Sequence, residues 1–76
     1  MPKLAGFSGR EVISILEKNF GFLFVTQKGS HIKLRKMVNE RVVTAIVPDH
    51  KELAQGTLRN ILRQAEIEIE DFLSKS

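Results

Sequence analysis

The chain contains no cysteine, no tryptophan and no tyrosine, and only two prolines. Without cysteine there are no disulfides, no thiol nucleophile and no cysteine-ligated zinc, and the redox compartment stays open. No apolar run reaches the length of about 18 residues that a membrane span needs. The opening Met1-Pro2-Lys3-Leu4-Ala5-Gly6 lacks the long apolar stretch of a secretory signal, so a cytoplasmic location is expected. Histidine is scarce: the two present, with scattered carboxylates, give no metal-ligand spacing, and neither metal nor cofactor is expected. Repeats, linkers and low-complexity segments are also missing.

What is present is the composition of a folded protein, 42% hydrophobic and 28% charged over 76 residues. That length fits one domain spanning 1–76, whose core alone supplies only a few kcal/mol, so tight packing or a partner is needed. The net charge of +3 is unevenly spread. Seven basic residues face two acidic ones in 1–37, four face three in 38–65, and one faces four in 66–76. A basic front with an acidic tail suits a polyanionic partner, although solvated surface charge explains it equally well.

Ser8 followed by Glu11 is a capping box opening a helix, on which Val12, Ile13, Leu16 and Phe20 form one apolar face. Gly21 ends it, placing the helix over 9–19. The run 22–26 is β-prone, and Lys28-Gly29 is a turn signal. Residues 30–37 alternate, with Ile32 and Leu34 on one side and His31, Lys33 and Arg35 on the other. Asn39-Glu40 marks a second turn before a strand over 41–47, which Pro48 terminates. Thr57 is the expected cap of a second helix carrying Leu58, Ile61, Leu62 and Ala65 at helical spacing. A last helical turn over 69–73 would dock Phe72 and Leu73.

The order α-β-β-β-α predicts an α+β two-layer sandwich, with a three-stranded antiparallel sheet and the helices together on one face. His31, Lys33 and Arg35 then stand on the helix-free face, a plausible phosphate site. Strands one and three are apolar on both sides: Phe22 and Phe24 oppose Leu23 and Val25, and Val43 and Val47 oppose Val42 and Ile46. Some large apolar side chains must therefore lie on the open face, as at a protein interface.

From the residues alone, His31 is either a proton-transfer group or a solvated surface histidine. His50, in an irregular connection, reads as structural. Ser30 and His31 are adjacent on a strand and point apart, so they are no nucleophile pair. Gly29 by itself is a turn residue rather than a phosphate cradle.

The ordered set Gly21-Phe22, Lys28-Gly29-Ser30-His31, Val47-Pro48-x-His50, Glu52-Leu53 and Gly56-Thr57-Leu58-x-x-Ile61-Leu62-Arg63-Gln64-Ala65 resembles the HicA family over nearly the whole chain. Ser8-Gly9 and the leading Met1-Pro2-Lys3 also fit. The resemblance implies a toxin of a type II toxin–antitoxin pair, an mRNA interferase whose fold is similar to a double-stranded RNA-binding domain. It implies a HicB-like antitoxin partner, and it assigns the ribonuclease activity to the Gly-Ser-His histidine, here His31. Gly29, Ser30, Pro48, His50, Gly56 and Thr57 are then structural motif positions, and Lys28, Lys33, Arg35 and Lys36 the expected RNA contacts. Two positions depart from the family: Glu66 stands where a glycine is usual, and Thr26-Gln27 where relatives often carry an arginine.

The implied reaction is metal-independent cleavage of RNA (mRNA), in which a 2′-hydroxyl attacks the adjacent phosphorus. DNA lacks that hydroxyl and should bind without being cut. Two rival readings are a non-catalytic RNA-binding module of the same fold and a purely protein-binding domain.

Overall fold

The computed structural model describes residues 3–76; Met1 and Pro2, part of the leading segment included in the resemblance, lie outside them. The elements run α1 (Gly9–Phe20), β1 (Leu23–Lys28), β2 (His31–Val38), β3 (Arg41–Pro48), α2 (Gln55–Ala65) and α3 (Ile69–Lys75). The strands form an antiparallel sheet in the order β1-β2-β3. This is the expected α+β architecture with a third helix added at the end.

The expected capping box of α1 is made in full. Ser8 Oγ accepts the Glu11 N–H at 3.0 Å, and Glu11 Oε1 accepts the Ser8 N–H at 2.8 Å. Gly21 closes the helix with φ 77°, a conformation that costs glycine least. The two hairpins turn differently. Lys28 pairs with His31 across Gly29 (φ 58°) and Ser30, and Val38 pairs with Arg41 across Asn39 and Glu40, both at positive φ. The second is therefore a type I′ geometry achieved without glycine.

Side-chain parity sets the layers. Ile32 and Leu34 of β2 pair with Val47 and Ala45 of β3, and all four are buried, as is Val43. These residues share one sheet face, so α1 and α2 lie over that face, covering Val12, Ile13 and Leu16 from one helix and Leu58, Ile61 and Leu62 from the other. Phe72 of α3 is fully buried and its ring lies 5.2 Å from that of Phe7, while Leu73 packs at the core margin.

Three expectations need correction. The first strand does not begin at Phe22: that side chain is buried just ahead of β1, whereas all six β1 residues are exposed. The two-faced apolar pattern expected of this strand is broken by a register shift between Phe24 and Thr26, which makes Val25 an extra residue opposite β2. Thr57 does not cap α2; the cap position is Ala54, which makes no side-chain cap bond, and the helix starts three residues earlier than expected. The sequence pattern located the apolar face of α2 correctly, but a cap residue one turn inside the helix looks the same in sequence.

The departure at Glu66 is visible in the fold. Glu66 ends α2 in the left-handed region (φ 60°), its N–H reaching the Arg63 carbonyl and the Ile67 N–H reaching Leu62. This is the Schellman arrangement, which favours glycine at that position. Here the glutamate instead accepts two bonds from the Arg41 guanidinium, at 2.5 and 2.7 Å.

Candidate functional site

The face opposite the helices is built from alternate residues of β2 and their cross-strand partners. Paired residues share a face, so the register gives its rows. Lys28, His31 and Pro48 form the row at one end; Thr26, Lys33 and Ile46 form the next; Leu23, Arg35 and Thr44 follow, and Met37 with Val42 closes the other end. His31, Lys33 and Arg35 are exposed, with successive members about 7 Å apart along the strand. The structure thus places Lys28, His31, Lys33 and Arg35 on one face.

It does not bring Lys36 there. Lys36 has the parity of Ile32 and Leu34 and is half-buried on the helix side. Its ammonium donates to the Phe20 carbonyl at 3.0 Å and lies 4.9 Å from the centre of the Phe22 ring. It therefore satisfies the C-terminal end of α1 and covers a core aromatic, a favourable place for a cation.

His31 stands at the first position of β2, directly after the Gly29-Ser30 turn. That turn is held from two sides. Gln27 Nε2 donates to the Gly29 carbonyl at 2.9 Å, and the Asp49 N–H donates to the Ser30 carbonyl at 2.6 Å. Asp49 is fixed in turn by Arg10, whose guanidinium binds both carboxylate oxygens at 3.1 and 3.0 Å. The Gly9 N–H donates to the His50 carbonyl at 2.8 Å, and Leu53 N–H to Phe7 at 2.8 Å. A strap of residues 48–53 therefore ties the start of α1 to the turn carrying His31. His50 contributes its backbone carbonyl to this strap, while its side chain is exposed.

Gly9 explains the Ser8-Gly9 pair. A Cβ there would fall onto the Pro48 carbonyl oxygen, so the strap closes on the helix start only when that residue has no side chain. Gly56 is different: a Cβ there meets open space, and nothing in its contacts requires glycine.

Comparison with protein-family models matches residues 9–67 to the HicA toxin of bacterial toxin–antitoxin systems. The chain belongs to the HicA toxin family. A search of curated proteins finds no match. As a HicA-family protein the chain is the toxin component of a toxin–antitoxin pair, which implies an antitoxin partner. The match covers every strand, the Lys28–His31 turn, the strap and all of α2, and it leaves α3 outside.

The Arg10–Asp49 clamp had no signal in the sequence, because 39 positions separate its members and neither lies in a periodic pattern. Thr44 could have been found: once Asn39-Glu40 is taken as a two-residue turn, counting back places it opposite Arg35. Among the described residues, no group of three or more histidines or carboxylates converges as metal ligands would. No helix among them is long and apolar enough to cross a membrane.

Proposed function

We propose that this HicA-family toxin is an endoribonuclease, an mRNA interferase of the cytoplasm, with His31 as its proton-transfer group. One observation carries the reading: His31 shares an exposed, helix-free sheet face with Lys28, Lys33 and Arg35, while Ile32 and Leu34 anchor the same strand in the core. An imidazole among cations on a rigid strand suits cleavage of a phosphodiester.

In the reaction, the RNA 2′-hydroxyl attacks the adjacent phosphorus, an O–P bond forms, and the bond to the 5′ oxygen breaks. The 2′-hydroxyl gives up its proton and the departing oxygen receives one. His31 takes one of these two roles, and a positioned group of this kind is worth about 10²–10⁴ in rate. Lys28 across the ladder and Lys33 next on the strand hold the phosphate and stabilise its developing charge. Arg35, one step further, binds the backbone. The clamp of Arg10 on Asp49 and the strap of 48–53 fix the turn on which the imidazole stands. The antitoxin, a HicB-like protein, docks on this same open face and excludes RNA.

The test is incubation of the purified protein with long RNA and with DNA of the same sequence, in EDTA. The wild type is expected to cut the RNA and leave the DNA intact. His31→Ala is expected to cut at least about 100-fold more slowly, with an unchanged melting temperature because the side chain is exposed. A variant that cuts at the wild-type rate overturns the assignment. RNA binding without cleavage by the wild type makes the protein a binding module instead.

A further inference from the structure

The two edges of the sheet are unequal. On the outer side of β3, the Ile46 N–H is occupied by Gln64 Oε1 of α2 at 3.0 Å. β1 pairs with β2 on one side only, and all six of its residues are exposed. Leu23 is 71% exposed, Phe24 55%, Met37 64% and Val42 52%; with Val25 they line a shallow groove to which Arg35 and Lys36 also contribute. The groove lies at the end of the face remote from His31, since Met37 is six residues, about 20 Å, further along β2.

An unpaired edge beside an apolar groove is a template for a further strand. Charge selects what can pair there. β1 and β2 together carry Lys28, Lys33, Arg35 and Lys36 and no acidic residue. A second copy joined through β1 would bring two basic sheet faces side by side, which is unfavourable. The bulge at Val25 and Lys28 at the strand end are devices that discourage self-pairing. RNA would meet three aliphatic side chains, a methionine and one phenylalanine, a poor stacking platform.

We propose that β1 accepts, as a fourth strand, an extended protein segment whose side chains on the open face are apolar beside Leu23 and acidic toward Lys28. The apolar side chains fill the groove of Leu23, Val25, Met37 and Val42, and the carboxylates meet Lys33, Arg35 and Lys28. Because β1 runs from the groove at Leu23 to the His31 row at Lys28, one added strand of about 20 Å joins the two ends of the face. That the antitoxin carries this segment rests on the reading that it docks on the open face.

The probe is a short synthetic peptide with threonine at every second position and, between the threonines, valines in one half and glutamates in the other, made in both orders and followed by amide hydrogen exchange on the full-length toxin. Protection of residues 23–28 is expected. Two control peptides are expected to bind about tenfold more weakly or worse: one with lysine for glutamate, and one with alternate backbone amides N-methylated to remove strand donors. Val25→Lys is expected to lose the peptide yet cleave RNA at the wild-type rate. The proposal is overturned if the N-methylated peptide binds as well as its parent, or if protection falls on the helices. It is equally overturned if the toxin alone dimerises through β1, or if RNA rather than peptide protects residues 23–26. Peptide binding by a toxin that leaves RNA uncut upholds the edge and faults only the nuclease reading.

Discussion

Single residues with constrained backbone carry measurable consequences for this fold. Glu66 occupies a left-handed position that favours glycine, and the Arg41 guanidinium offsets the strain through two hydrogen bonds. The same bonds hold the Glu66 carboxyl below the ordinary carboxylate range and raise the Arg41 pKa. A carboxylate with a lowered folded pKa stabilises above its unfolded value of about 4.3, and that contribution disappears as pH falls through the folded value. Glu66→Gln is therefore expected to lower the melting temperature slightly at neutral pH and to match the wild type at the acid end, as paired thermal scans from acid to neutral pH would read. Gly9 gives a larger effect. Gly9→Ala drives a Cβ onto the Pro48 carbonyl, a backbone group that cannot swing aside, and is expected to cost about 1–3 kcal/mol, as overpacking does. Gly56→Ala, in a helix with open space around it, is expected to gain about 0.5–1 kcal/mol. Urea unfolding midpoints of the two variants should move in opposite directions.

At the level of elements, α2 is held by burial rather than by its ends. Its buried face is Leu58, Ile61, Leu62 and Ala65, but Ala54 at the cap position leaves its first amides without a side-chain acceptor. Ala54→Asp is expected to stabilise the protein by about 1 kcal/mol, because Ala54 already has extended cap dihedrals and is exposed. A chemical denaturation curve shifted to higher midpoint with unchanged slope is the expected reading. Elements with a periodic buried face were legible in sequence: α1, β2, β3, α2 and the docking of Phe72 all follow from spacing. β1 was legible from its β-prone composition, but its start and its faces were not, because an edge strand that buries nothing carries no periodic signature and the bulge at Val25 shifts its register. The cap of α2 was missed for a related reason, since Thr57 mimics a start signal one turn too late. The open face containing His31, Lys33 and Arg35 followed directly from alternation along β2, whereas Lys36 joined that set on charge alone and parity sends it to the other side. The strap that steadies His31 depends on contacts between distant segments, which local pattern does not encode.

Taken whole, the molecule separates its charges by layer. The open sheet face carries Lys28, Lys33 and Arg35, and the acidic cluster of Glu68, Glu70 and Asp71 lies on and before α3, against α1 and α2. A polyanion approaching from solution is therefore drawn to the open face, and the acidic α3 segment disfavours approach at that end. If Lys33 and Arg35 contact phosphates, each displaces counterions from the RNA, and binding must weaken with salt in proportion to the number of contacts. Lys33→Ala and Arg35→Ala are each expected to reduce the slope of log affinity against log salt by about 0.7, and the double variant by about twice that, on every RNA sequence alike. Lys36→Ala is the internal contrast. Its ammonium already serves the Phe20 carbonyl and the Phe22 ring, so it should lower thermal stability while leaving the salt slope near the wild-type value. Binding to single-stranded RNA of two unrelated sequences, measured across a salt series, checks all four proteins. A changed sequence preference with an unchanged slope for Lys33→Ala or Arg35→Ala would place those side chains on bases and refute the backbone role. A slope lost with Lys36 would instead return that residue to the RNA.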